Sequence, residues 1–242
     1  MRTLLYFACA AISTLSAISS ANAASIQVAP VSLELLAPTS AGTLKLENKG
    51  GKALGVQLRV FRWSQVGGQE KLEPTKDVVV SPPIVQVASQ ASVTVRVLRP
   101  NKNEIVGEEN YRVLIDELPD PATRKNGVVA IVLRQSIPIS FRSQTANAPQ
   151  VTWAVETNGG RSYLTAHNSG ERKLRVSQLK LSGSGGRSVV VSEGLVGYVL
   201  GGSSMRWPLS QQASRLASER SLTISAQGNV GPISATAPVT AR

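Results

Sequence analysis

From Gly127 to Arg142 the chain reads GVVAIVLRQSIPISFR, and apolar residues fall on alternate positions along it. Val129, Ile131, Leu133, Ile137, Ile139 and Phe141 share one parity, broken only by Gln135. The other parity is apolar at Val128, Ala130 and Val132 and then carries Arg134, Ser136, Pro138, Ser140 and Arg142, so the alternation is asymmetric. A period of two is that of a β-strand. At about 3.3 Å per residue such a run would reach about 50 Å, far beyond a strand of ordinary length. Pro138 cannot donate a ladder hydrogen bond, which points to an edge position or a bulge. An edge strand with the head VVAIVL and no charge before Arg134 is an aggregation hazard unless something pairs with it. Two readings fit the pattern: another protein's strand pairs there, or the run is a long central strand of a closed sandwich.

Short alternating runs separated by turn residues recur along the rest of the chain without a convincing helix, the signature of an all-β sandwich. Residues 25–36 (SIQVAPVSLELL) predict a first strand interrupted at Pro30, an edge or sheet-switching feature. Strands are predicted at 43–47, 56–63, 78–80, 84–87, 92–98 and 111–118, and Ser81-Pro82-Pro83 is a place where a cis peptide fits. About seven strands in such a length is the count of an immunoglobulin-like domain. The polar, proline-terminated stretch from Arg142 to Pro149 reads as a linker. Beyond it, strands are predicted at 151–156, 162–168, 174–181, 188–191, 197–200, 204–209, 221–226 and 233–239. The expected organisation is a first domain over residues 24–143 and a second over 149–242. Both are immunoglobulin-like β-sandwiches, joined at an angle, and the glycine-rich second is the less stable.

The amino terminus places these domains outside the cytoplasm. One basic residue, Arg2, precedes an apolar run from Leu4 to Ile18 and then Ala21-Asn22-Ala23, the small-x-small pattern of a signal peptide over residues 1–23. The only cysteine, Cys9, lies within it, so the mature chain rests on core packing without disulfides. The formal charge of +11 drops by one with Arg2. A basic surface suits nucleic acid, anionic membranes or acidic proteins. Export argues against nucleic acid, and the scattered basic residues fit either a solvated surface or a partner with acidic groups. With His167 as the sole histidine there is no zinc cluster and no Ser/His/Asp arrangement. Adjacent acids such as Asp116 and Glu117 point to opposite faces of a strand, so they do not converge for acid–base chemistry. The glycine-rich pieces lack a phosphate-loop context. No enzyme activity, cofactor or metal is expected.

Two motifs carry a resemblance. The stretch from Glu109 to Pro119, ENYRVLIDELP, and the stretch from Gly197 to Trp207, GYVLGGSSMRW, resemble signatures of the PapD-like periplasmic chaperones of pilus assembly. In the second stretch Gly201 stands where the family usually has proline. With two immunoglobulin-like domains, a signal peptide and the long strand before the boundary, the resemblance spans nearly all of the mature chain.

The resemblance implies a role. The family lends alternate residues of its long strand to a pilus subunit that lacks one of its own, and delivers the subunit to an outer-membrane usher, a form of β-augmentation. By parity the donor residues here are Val129, Ile131 and Leu133. The resemblance also implies location in the periplasm, and an open edge in the free chain invites self-association. The family anchors the subunit's terminal carboxylate with two basic residues, but the matching positions are Ser32 and Pro138, which carry no charge. Arg96 and Arg134 are the replacement candidates, because a guanidinium pairs bidentately with a carboxylate. That departure makes the chain similar to the archaic, or sigma-type, branch. A Glu–Arg–Asp network that sets the interdomain angle in the family maps to Glu109, Arg142 and Asn229, the last without charge. The other reading, from a different class, is a secreted structural or adhesive immunoglobulin-like protein.

Overall fold

The computed structural model describes residues 26–119 and 132–241, and within them the chain is almost entirely strand. In the first sandwich one sheet holds β1 (Ile26–Ala29), β3 (Ala41–Asn48), β8 (Ser92–Leu98) and β6 (Val79–Ser81), in that order. The facing sheet runs β2 (Leu33–Leu36), β10 (Arg134–Arg142), β9 (Glu108–Glu117), β4 (Leu54–Val66) and β5 (Gln69–Pro74), with β7 (Ile84–Val87) on β4. The first strand does switch sheets at Pro30. β1 pairs antiparallel with β3, whereas β2 pairs parallel with β10. The Ser81–Pro82 peptide is cis.

Alternation sets the core. Ile137, Ile139 and Phe141 of β10 point inward with Tyr111, Val113 and Ile115 of β9, against Leu44, Leu46, Val95 and Val97 of the opposite sheet. Tyr111 and Phe141 meet edge to face with centroids 6.1 Å apart. At about 1.5–3 kcal/mol for each large apolar side chain fully buried, this layer is what holds a disulfide-free domain together.

Residues 143–150 lead to the second sandwich, built from β11 (Val151–Asn158), β12 (Arg161–Asn168), β13 (Leu174–Ser182), β14 (Ser188–Val199), β15 (Ser203–Pro208), β16 (Ser221–Gly228) and β17 (Gly231–Ala241). The strand order is β14-β13-β16-β17-β11-β12-β15. One turn of helix, α1 (Gln211–Ser214), lies between β15 and β16; Ser210 caps it by accepting from the Ala213 amide. Three elements depart from the sequence pattern. The two strands expected at 188–191 and 197–200 are one strand whose register against β13 shifts repeatedly. Residues 69–74 form β5 although every one of them is exposed. Within the described part of the long run, the strand begins at Arg134, with Val132 and Leu133 preceding it. No helix among the described residues is long and apolar enough to cross a membrane.

Candidate functional site

β10 is unequally flanked. Along its whole length, Arg134 to Arg142, it pairs with β9, but β2 covers its other side only from Ile139 to Arg142. Among the described residues, 134–138 therefore present an unpaired backbone flank, and Pro138, lacking an N–H, lies at the end of that stretch. Leu133 keeps the inward parity of Ile137, Ile139 and Phe141 yet is 44% exposed, and Val132 is 49% exposed. Leu133 thus has core-facing parity without core burial. Its carbonyl still accepts from the Glu117 amide at 3.0 Å, so β9 positions the backbone here. Val129 and Ile131 lie outside the described residues.

The opposite parity of β9 and β10 meets the second domain through Glu108, Arg112 and Ser140. At one end, Asp116 takes a hydrogen bond from Arg59 at 2.7 Å and another from Arg134, its direct ladder neighbour. Burial pushes the Asp116 carboxyl up, but the bonds from Arg134 and Arg59 outweigh it and hold the group below its ordinary 3.8. Two guanidinium groups on one carboxylate leave a net positive charge beside the open flank. Arg96 is elsewhere: it stands exposed on the outer face of the other sheet, between Thr43 and Ser81. The structure thus does not bring Arg96 and Arg134 together. Ser32 precedes β2, and Pro138 sits opposite Arg112. Arg112 lies 3.8 Å above the Trp63 ring and 3.3 Å from Glu70.

At the other end the second domain docks. The Lys173 ammonium contacts Glu108 at 2.6 Å, Ser140 at 2.7 Å and Glu34 at 3.0 Å, so each of its three protons has an acceptor. Glu109, Arg142 and Asn229 do not form the expected network. Glu109 shares the inward parity of Tyr111 and is held within its own domain, bound by Arg99 through two hydrogen bonds of 2.8 Å and by Tyr111 at 3.0 Å. Burial raises the Glu109 carboxyl, and these partners more than reverse it, leaving it lowered. Burial and the Glu109 charge push the Tyr111 hydroxyl up. Arg142 neighbours Glu108 across the ladder. The Asn229 side-chain amide bonds only backbone groups there, donating from Nδ2 to the Lys173 carbonyl at 3.3 Å and accepting at Oδ1 from the Arg175 amide at 2.9 Å. The residues missed by sequence are Glu108 and Lys173. Parity along β9 puts Glu108 on the face opposite Tyr111, together with Asn110 and Arg112, whereas nothing in the run ERKLR distinguishes Lys173 from its basic neighbours.

Gly201, in the second family-like motif, has a steric reason for being glycine. A Cβ there would lie 2.2 Å from the Glu171 carbonyl oxygen.

Solved structures share this architecture. The chain is similar to the CsuC chaperone, solved with the CsuE tip adhesion subunit of the archaic chaperone-usher Csu pili of Acinetobacter baumannii. That pair shows 22% identity over 90% of this chain and 100% of the other, with a TM-score of 0.66. The SafB chaperone, solved with the SafA pilin of Salmonella enterica, shows 16% identity over 89% and 95%, with a TM-score of 0.59. The E. coli chaperone DraB shows 19% identity over 90% and 97%, with a TM-score of 0.58. No curated protein matches the chain. The family model that matches, over residues 25–146, is the PapD N-terminal domain of pili and flagellar-assembly chaperones. Two immunoglobulin-like sandwiches, a partly unpaired long strand and this match together place the chain in the family of pilus-assembly chaperones.

Proposed function

We propose that the chain is a periplasmic chaperone that holds pilus subunits by lending them the strand through Val129, Ile131 and Leu133, and then yields them to an outer-membrane usher. One observation carries this reading: Leu133 keeps the core-facing parity of β10 while standing 44% exposed, next to a backbone flank that β2 leaves unpaired. CsuC and SafB were each solved with a subunit, which supports the same role here. Burying three such side chains in a foreign sandwich contributes about 1.5–3 kcal/mol each before ordering costs, enough for firm yet displaceable capture.

The subunit's terminal carboxylate is assigned to Arg134, with Arg59 beside it, because these two guanidinium groups converge at Asp116 next to the open flank and Arg96 does not. The role is binding rather than catalysis. In the free chain the same flank takes part in self-association, which subunit binding displaces.

Co-expression with a pilin-like subunit tests the reading. Replacing Ile131→Asp and Leu133→Asp together is expected to abolish subunit recovery from periplasmic extracts. Undiminished recovery, with the variant present at wild-type levels, rules donor-strand binding out.

A further inference from the structure

β14 and β15 stand at the two ends of the strand path of the second sandwich and are joined through Gly201-Gly202, so its two open edges lie side by side. The β4–β5 hairpin of the first domain meets both. Gln65, 8% exposed, donates from Nε2 to the Tyr198 carbonyl at 2.8 Å and accepts at Oε1 from the Leu200 amide at 2.9 Å. In an extended strand the carbonyl of one residue and the N–H two residues on point the same way. A primary amide presents an N–H donor and a carbonyl acceptor on two adjacent atoms, as the backbone of a neighbouring strand would.

Three residues further, at the tip of the hairpin, the Gly68 carbonyl accepts from the Arg206 amide at 3.1 Å, with Gly68 in parallel register with Met205. Gly68 has φ +79, and a Cβ there would lie 2.9 Å from the Arg206 Cβ, so both its conformation and its close approach favour glycine. Trp63, Tyr198 and Leu200 seal the junction as a separate buried cluster. The Trp63 and Tyr198 rings meet at 89° with centroids 5.2 Å apart.

We infer that the β4–β5 hairpin acts in cis as the edge strand that the second sandwich lacks, and that Gln65 and Gly68 are positioning residues holding that domain against the first. Unpaired strand edges recruit foreign strands. This device closes two of them with residues of the same chain, and it stands independently of whether a subunit binds at β10.

Amide hydrogen exchange on the full chain, read by NMR, tests the inference. In the unaltered chain the Leu200 and Arg206 amides are expected to exchange as slowly as Ile224, deep in β16. Exchange at the rate of an unprotected edge overturns the inference without any variant. Gln65→Ala is expected to speed exchange at Leu200 about tenfold or more, and Gly68→Val to do the same at Arg206, while Ile224 is unchanged. Leu200 and Arg206 amides that stay protected in these variants also overturn it. Because this readout needs no subunit, its failure is distinct from a failure of donor-strand binding.

Discussion

Lys173 is gripped twice by Glu108: its ammonium donates to one carboxylate oxygen at 2.6 Å and its backbone N–H to the other at 2.7 Å. The Lys173 and Glu108 side chains are only 3% and 2% exposed, so the pair is a desolvated clip between the two domains. Removing one member of such a pair leaves the other charge buried without its main partner. Lys173→Met is therefore expected to lower stability by about 3–5 kcal/mol, and adding Glu108→Gln to recover a large part of the loss. Urea midpoints of the single and double variants check this. A double variant no more stable than Lys173→Met contradicts it.

Leu133 and Ile139 share a parity but not a burial, and their substitutions are expected to separate function from stability. Ile139 is fully buried, and Ile139→Ala should cost about 2–5 kcal/mol. Leu133→Asp, at a half-exposed site, should shift the unfolding midpoint little while sharply reducing subunit capture. Thermal denaturation of both variants beside a pull-down with a subunit separates the two effects. A large stability loss for Leu133→Asp would mean that the side chain serves its own core.

Arg134→Ala is expected to weaken subunit binding several-fold and to reduce its sensitivity to salt, because the lost group is a partly exposed cation beside the open flank. Arg96→Ala, on the far face of the other sheet, is expected to leave binding unchanged. Affinity measured at two ionic strengths discriminates; equal effects from the two substitutions contradict the assignment.

Acid should destabilise the first domain in a way traceable to two carboxylates. Asp116 and Glu109 both titrate below their ordinary values of 3.8 and 4.5 in the folded chain. A lowered folded value means that the stabilisation is fully present above the unfolded value and is lost as pH falls through the folded one. Wild-type stability should therefore decline as pH drops through and below about 4, and the Asp116→Asn/Glu109→Gln variant should show a shallower decline. Unfolding free energies measured from neutral to acid pH give the comparison, and identical slopes contradict it.

Much of the architecture was legible because the chain alternates strictly where one face is buried. The strands over residues 84–87 and 92–98 coincide with β7 and β8, and the break at Pro30 marks a true change of sheet. β5 was not legible: QEKLEP has no apolar face, and it is held by pairing with β4 and by the docking of the hairpin tip on β15. β14 read as two strands because Ser192, Glu193 and Gly194 interrupt its apolar positions where its register against β13 shifts. At the interdomain clip an error of one residue was decisive. Glu109 and Glu108 are alike in chemistry and differ only in face, and only the even-numbered face of β9 looks toward Lys173. Pairing across a domain junction leaves no periodic trace in either partner, which is why Lys173 and Gln65 emerge only from the three-dimensional arrangement.

β2 runs along β10 from Leu33 opposite Ile139 to Leu36 opposite Arg142, and no further. A guest strand taking the remainder of that flank meets an end stop at Leu33. The chain's own first segment thus fixes where the unpaired flank of β10 ends on its carboxyl-terminal side.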